Sequence, residues 1–138
     1  MKLCNEPTIF VDSDLDKIRK HYKAEFVVDT EKDGIKCAIF YSEKPHPDSG
    51  SRYFALYHDP IYGKLMITSG KWIEEQEFIG VMAHNGDIIF SRHRHDYRIS
   101  SDGTVFVDGG RAYIRTEKYA TQIPLRVVDG RLKPEKEN

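Results

Sequence analysis

Polar and apolar positions along this chain change their rhythm once. Between Ser13 and Lys23 the apolar residues Leu15, Ile18 and Tyr22 recur at helical spacing, which predicts one short amphipathic helix. Ser13 stands where a cap is wanted, and Asp16 follows three residues later. Asp14 and Asp16 at its start, and Arg19, Lys20 and Lys23 at its end, suit the helix dipole. Beyond this segment the punctuation changes to Asp33-Gly34, Asn85-Gly86, Asp108-Gly109 and Asp129-Gly130. These dipeptides tolerate successive positive φ angles, as two-residue hairpin turns require.

β-forming runs flank the turns. Phe26-Val27-Val28 precedes the first, and Ile35 to Tyr41 follows it. Phe78 to Met82 and Ile88-Ile89-Phe90 flank the second, Val105-Phe106-Val107 and Ala112-Tyr113-Ile114 the third. The spacing predicts a mainly β chain of the α+β kind, an antiparallel meander or small open barrel with one short N-terminal helix. A length of 138 residues fits one domain, read as 1–132, with a charged, disordered tail over 133–138. Glu43 to Ser51, with Pro45 and Pro47, reads as a mobile loop.

Composition narrows the classes. With 39% hydrophobic and 31% charged residues, the chain is too apolar for a disordered protein and too polar for a membrane one. Its first residues carry a lysine but no long apolar run, so no signal peptide is expected and the predicted location is the cytoplasm. Two cysteines, Cys4 and Cys37, are too few for a disulfide framework, and Cys37 lies in an apolar run that reads as core. A net charge of −1 argues against a general nucleic-acid binder.

The densest polar stretch is Ser91-Arg92-His93-Arg94-His95-Asp96-Tyr97-Arg98. If it continues the strand from Ile88, alternation puts His93, His95 and Tyr97 on one face and Arg92, Arg94, Asp96 and Arg98 on the other. Three readings compete. Asp96 bridges arginines while the histidines satisfy local carbonyls. Alternatively, the arginines form an anion site, with Tyr97 free to stack on a base. The third is a metal or acid–base site on His93 and His95, whose third ligand comes from His84 or Asp108. Asp108-Gly109-Gly110 then lets the backbone approach a ligand or another strand closely. Arg111, Tyr113 and Arg115 alternate onto one face of the outgoing strand and extend a positive patch. No Walker loop, nucleophile elbow, paired-cysteine zinc motif or redox Cys-x-x-Cys is present, and no cofactor is predicted.

The run Gly86-Asp87-Ile88-Ile89-Phe90-Ser91, then His95-Asp96-Tyr97, then Val107-Asp108-Gly109-Gly110-Arg111-Ala112-Tyr113-Ile114-Arg115 resembles a small domain of uncharacterised bacterial and phage proteins. Many of its members carry paired cysteines that look like zinc ligands. This chain has Met82-Ala83-His84-Asn85 and Ser100-Ser101-Asp102-Gly103 in their place, so the resemblance implies no metal. Cys37 to Glu43, Leu65 to Thr68 and the His-Asp/Asp-Gly-Gly region also resemble an accessory protein of T-even-type tailed bacteriophages. That resemblance implies a phage origin and work inside a bacterium, but assigns no reaction.

The expected function is a non-enzymatic accessory role in the host cytoplasm. The chain would bind a host protein, or sequester a small phosphorylated, nucleotide-like ligand through the Arg/His/Tyr patch. Its alternatives are a metal-dependent hydrolase or nuclease using His93 and His95, and a virion or assembly protein. Open strand edges lead to an expectation of homo-oligomers.

Overall fold

The computed structural model describes residues 2–110 and 114–135. Along them run β1 (Lys2–Leu3), α1 (Asp12–Tyr22), β2 (Ala24–Lys32), β3 (Ile35–Ser42), β4 (Tyr53–His58) and β5 (Leu65–Ser69). After a 3-10 turn at Lys71–Ile73 come β6 (Glu77–Met82), β7 (Asp87–Phe90), β8 (Arg98–Ile99) and β9 (Phe106–Asp108). The last strands are β10 (Arg115–Thr116), β11 (Thr121–Val128) and β12 (Arg131–Pro134). The chain is mainly β with one helix, and its strands pair antiparallel except where β1 lies parallel to β7.

α1 starts one residue earlier than predicted. Ser13 lies inside it and caps nothing; Val11 occupies the cap position and makes no side-chain cap bond. Asp12 and Asp14 in the first turn, with Arg19, Lys20 and His21 in the last, still oppose the helix dipole. Lys23 turns left-handed at φ 51° and sends its N–H to Arg19 O, which ends the helix.

Four strands form a sheet in the order β2-β3-β4-β5, and five form a second in the order β1-β7-β6-β11-β12. They curl into a nearly closed small barrel around Val28, Ile39, Phe78, Ile88 and Leu125, all at most 1% exposed. Each such side chain, fully buried, is worth about 1.5–3 kcal/mol. A bulge in β2 between Phe26 and Val28 lets Val27 and Val28 both enter this core. α1 covers the outside of the four-stranded sheet, packing Leu15 and Ile18 with Ala38, Phe40, Phe54 and Leu56. A third, small sheet, β10-β9-β8, joins Val105 and Val107 to Val81 and Ile89 of the five-stranded one.

Turn chemistry explains the topology in part. Asp33 and Gly34 take φ 53° and 82° between β2 and β3; Asp129 and Gly130 take 49° and 80° between β11 and β12. Both are two-residue hairpins as predicted. At Asn85-Gly86 only the glycine turns positive, in a wider turn closed by Ala83 N to Asp87 O at 2.7 Å. At Asp108-Gly109 the tight hairpin is absent. Arg115 pairs with Asp108, so the connection spans residues 109–114, and the strand expected at Ala112-Tyr113-Ile114 falls largely outside the described residues.

Of the tail expected to be disordered over 133–138, residues 136–138 lie outside the described residues, and the first three are ordered. Lys133 and Pro134 pair with Arg126 and Leu125, and Glu135 N reaches Pro124 O at 3.0 Å. The loop at Glu43 to Ser51 is internally bonded, with His46 N on Ser51 O and Gly50 N on His46 O, each at 2.8 Å. A strap of N-terminal chain crosses both large sheets. Cys4 N donates to Ile88 O at 2.8 Å and Asn5 Nδ2 to Val27 O at 2.7 Å, while Thr8 and Ile9 reach Asp29. No disulfide links Cys4 to Cys37. Among the described residues, no helix is long and apolar enough to cross a membrane.

Candidate functional site

The strand from Ile88 stops at Phe90, and the predicted alternation stops with it. Residues 91–96 fold into a turn closed by Asp96 N on His93 O at 3.1 Å, with His95 left-handed at φ 63°. Local side chains drive this. The Ser91 hydroxyl donates to Asp96 O at 2.8 Å, and the Asp96 carboxylate accepts the Arg92 N–H at 2.9 Å. Such short side chains compete with a sheet ladder by satisfying the backbone themselves.

Gly110 arrives from the small sheet to complete the turn. Its N–H donates to Ser91 Oγ at 2.7 Å. The close approach anticipated for the two glycines is therefore to the chain itself.

Two arginines converge on one carboxylate. Arg92 Nε donates to Asp96 Oδ2 and Arg98 Nε to Asp96 Oδ1, both at 3.1 Å. Arg92 is 5% exposed and extends Nη1 to Pro7 O at 3.1 Å and toward Asp29 Oδ2 at 3.5 Å. Arg98 also pairs with Glu6 at 3.3 Å, and Arg94 with Glu31 at 3.3 Å. The bridging reading of Asp96 thus describes the geometry. The supposed face of free guanidinium groups does not form, because carboxylates distant in sequence occupy Arg92, Arg94 and Arg98.

The two buried carboxylates are tuned in opposite directions. Burial pushes the Asp29 carboxyl above its ordinary range, against the Thr8 hydroxyl, the Ile9 amide and the Arg92 charge. Burial also pushes Asp96 up, but the Arg92 hydrogen bonds and the charges of Arg92 and Arg98 outweigh it and hold that carboxyl below its ordinary range. Beside the turn, Asp102 accepts from Ser100, Thr104 and the Asn85 amide, and the Ser100 and Thr104 bonds chiefly depress its pKa.

The histidines do not share a face. His93 is buried, with Nδ1 3.1 Å from Arg94 O and Nε2 without a hydrogen-bond partner among the described residues. His95 is exposed. His84 sits in the β6–β7 turn, its N–H on Thr104 Oγ1, and Asp108 Oδ1 accepts the Gly109 amide at 2.8 Å. Among the described residues no three His, Cys, Asp or Glu gather as metal ligands.

Outward, the site presents a different surface. Val107 faces the core, so its register partners Arg98 and Thr116 lie on the inner side of the small sheet. Ile99, Phe106, Asp108 and Arg115 take the outer side. Tyr97 lays its ring on Phe106, centroids 5.8 Å apart and planes 20° apart, and Tyr97 and Ile99 are each 58% exposed. Arg94 and His95 are exposed on the turn. Arg111 and Tyr113 lie outside the described residues.

Sequence reasoning missed Asp29, Glu31, Glu6 and Thr8, which hold the turn from the far side. One signal was there: Asp29 directly follows the apolar run Phe26-Val27-Val28 in the predicted strand, where a buried acid needs partners.

No curated protein and no solved structure matches this chain. A family model described as a domain of unknown function (DUF7695) matches residues 84–117. The region of similarity thus takes in the Ser91–Asp96 turn, Gly110 and all three strands of the small sheet.

Proposed function

We propose that the chain is a non-enzymatic accessory protein of the phage kind its sequence resembles, acting in the bacterial cytoplasm by binding a protein partner. The contact surface is the outer face of the small sheet. One observation carries this reading: Tyr97 and Ile99, each 58% exposed, stand on a base locked by the Arg92–Asp96 pair, with Tyr97 stacked on Phe106. Rigid aromatic area with a polar tip loses little entropy on binding and is the material of interface hot spots. Arg115 and Asp108, paired across β9 and β10, supply charge of both signs beside it.

A protein partner is favoured over a phosphorylated ligand because Arg92, Arg94 and Arg98 already hold carboxylates. An incoming phosphate would have to displace them.

Affinity capture from bacterial lysate compares the wild type with Tyr97→Ala and Ile99→Asp. The partner should be lost from both variants while the folded state stays within about 1.5 kcal/mol of wild type. Identical captured proteins from all three would remove the reading. Calorimetric binding of a nucleotide would redirect it to the anion version.

A further inference from the structure

The four-stranded sheet ends in an open edge. Among the described residues, β5 pairs with β4 on one side only. Antiparallel alternation turns the N–H and C=O of every second β5 residue outward. Natural sheets guard such an edge with lysine, proline or a covering segment. β5 instead carries Met66 and Ile67, 39% and 37% exposed.

The turn that leads into it is well built. Asp59 N reaches Lys64 O and Gly63 N reaches Asp59 O, each at 2.8 Å, and Tyr62 N reaches Asp59 Oδ2 at 3.0 Å. It holds Ile61 and Tyr62 in solvent at 78% and 85% exposure.

Charge selects the occupant. A cavity of about 430 Å³ lies between Ile67 and the helix, walled by Lys17, Lys20, His21 and Tyr22 of α1. Two of the three acids of that helix are engaged elsewhere, Asp16 with Arg19 at 3.6 Å and Asp14 with His58 at 3.4 Å, and the third, Asp12, stands at its first residue, more than a turn before Lys17. Among the described residues, no carboxylate pairs with Lys17 or Lys20.

We infer that β5 accepts an extended acidic segment of a second protein as a fifth strand of this sheet. Main-chain bonds to the free ladder give affinity, and alternate side chains give selectivity. Carboxylates of the segment on the helix face reach Lys17 and Lys20 across Ile67, while its apolar side chains, on the opposite face, lie along Met66. This surface is separate from the small sheet and does not depend on Tyr97.

The test uses three synthetic peptides of about seven residues, roughly the length of a short strand. One alternates glutamate with valine, one alternates lysine with valine, and one is the acidic peptide N-methylated at alternate amides. The acidic peptide should bind and slow hydrogen exchange of the Leu65–Ser69 amides about tenfold. The other two should not bind. Lys17→Glu combined with Lys20→Glu should weaken the acidic peptide about fivefold. Equal binding of the lysine peptide, binding that survives N-methylation, or protection elsewhere than β5 would overturn the inference. So would a concentration-dependent dimer that Ile67→Lys dissolves, since the occupant would then be a second copy of this chain.

Discussion

Gly110 gives its backbone N–H to the hydroxyl of Ser91 at 2.7 Å, across 19 residues of chain. This bond ties the small sheet to the end of β7, and it needs glycine for two reasons. Gly110 has φ 60°, and a Cβ there would lie 2.6 Å from the Cα and 2.7 Å from the carbonyl oxygen of His93.

Gly110→Ala should therefore cost about 2–4 kcal/mol, the sum of left-handed strain and a clash with backbone that cannot yield. Gly63→Ala is the comparison, since its φ is 68° with nothing within 4 Å. Strain alone predicts about 1–2 kcal/mol there. Urea unfolding of both variants measures the difference. Equal losses would mean that the contact with His93 relaxes freely.

Arg92→Lys tests the fork. Arg92 reaches Asp96 with Nε and Pro7 O with Nη1, and a lysine ammonium cannot span both. The variant should lose about 2–4 kcal/mol and release the strap it holds. Amide exchange at Ile9, whose N–H rests on Asp29, should speed up more than exchange in β3 or β4. Unchanged protection at Ile9 would count against the fork as the strap's anchor.

Acid stability carries opposing signs. Asp96 and Asp102 have folded values below 3.8, so their contributions are present above that value and lost as pH falls through the folded ones. Asp29 is raised above 3.8, so the folded state keeps a proton that the unfolded chain releases, and its contribution grows as pH falls toward that value. Asp96→Asn should cost about 3 kcal/mol at neutral pH and flatten the acid decline below about pH 4. Asp29→Asn should remove the opposing rise above it. Urea midpoints across this range read both, and parallel curves for wild type and Asp96→Asn would refute the assignment.

What was legible in the sequence was local. The hairpins at Asp33-Gly34 and Asp129-Gly130 need only two residues with positive φ, and the dipeptides state that need directly. The helix is legible because Leu15, Ile18 and Tyr22 lie on one face. Its start is not legible, because the cap position holds Val11, which carries no capping chemistry. The turn at Ser91–Asp96 was hidden because alternation continues through its letters while its hydrogen bonds do not. Its ion pairs were hidden more deeply. Asp29, Glu31 and Glu6 meet Arg92, Arg94 and Arg98 only after the sheets have formed, so no spacing rule connects them.

The strap has a kinetic consequence. Arg92 and Pro7 meet across 85 residues, so closing that contact brings a large entropy loss before it returns any bond. It is therefore expected among the last events of folding. A weakened strap should then leave the refolding rate nearly untouched and shorten the lifetime of the native molecule instead, which stopped-flow traces of Arg92→Lys would resolve as a shift in the unfolding limb alone.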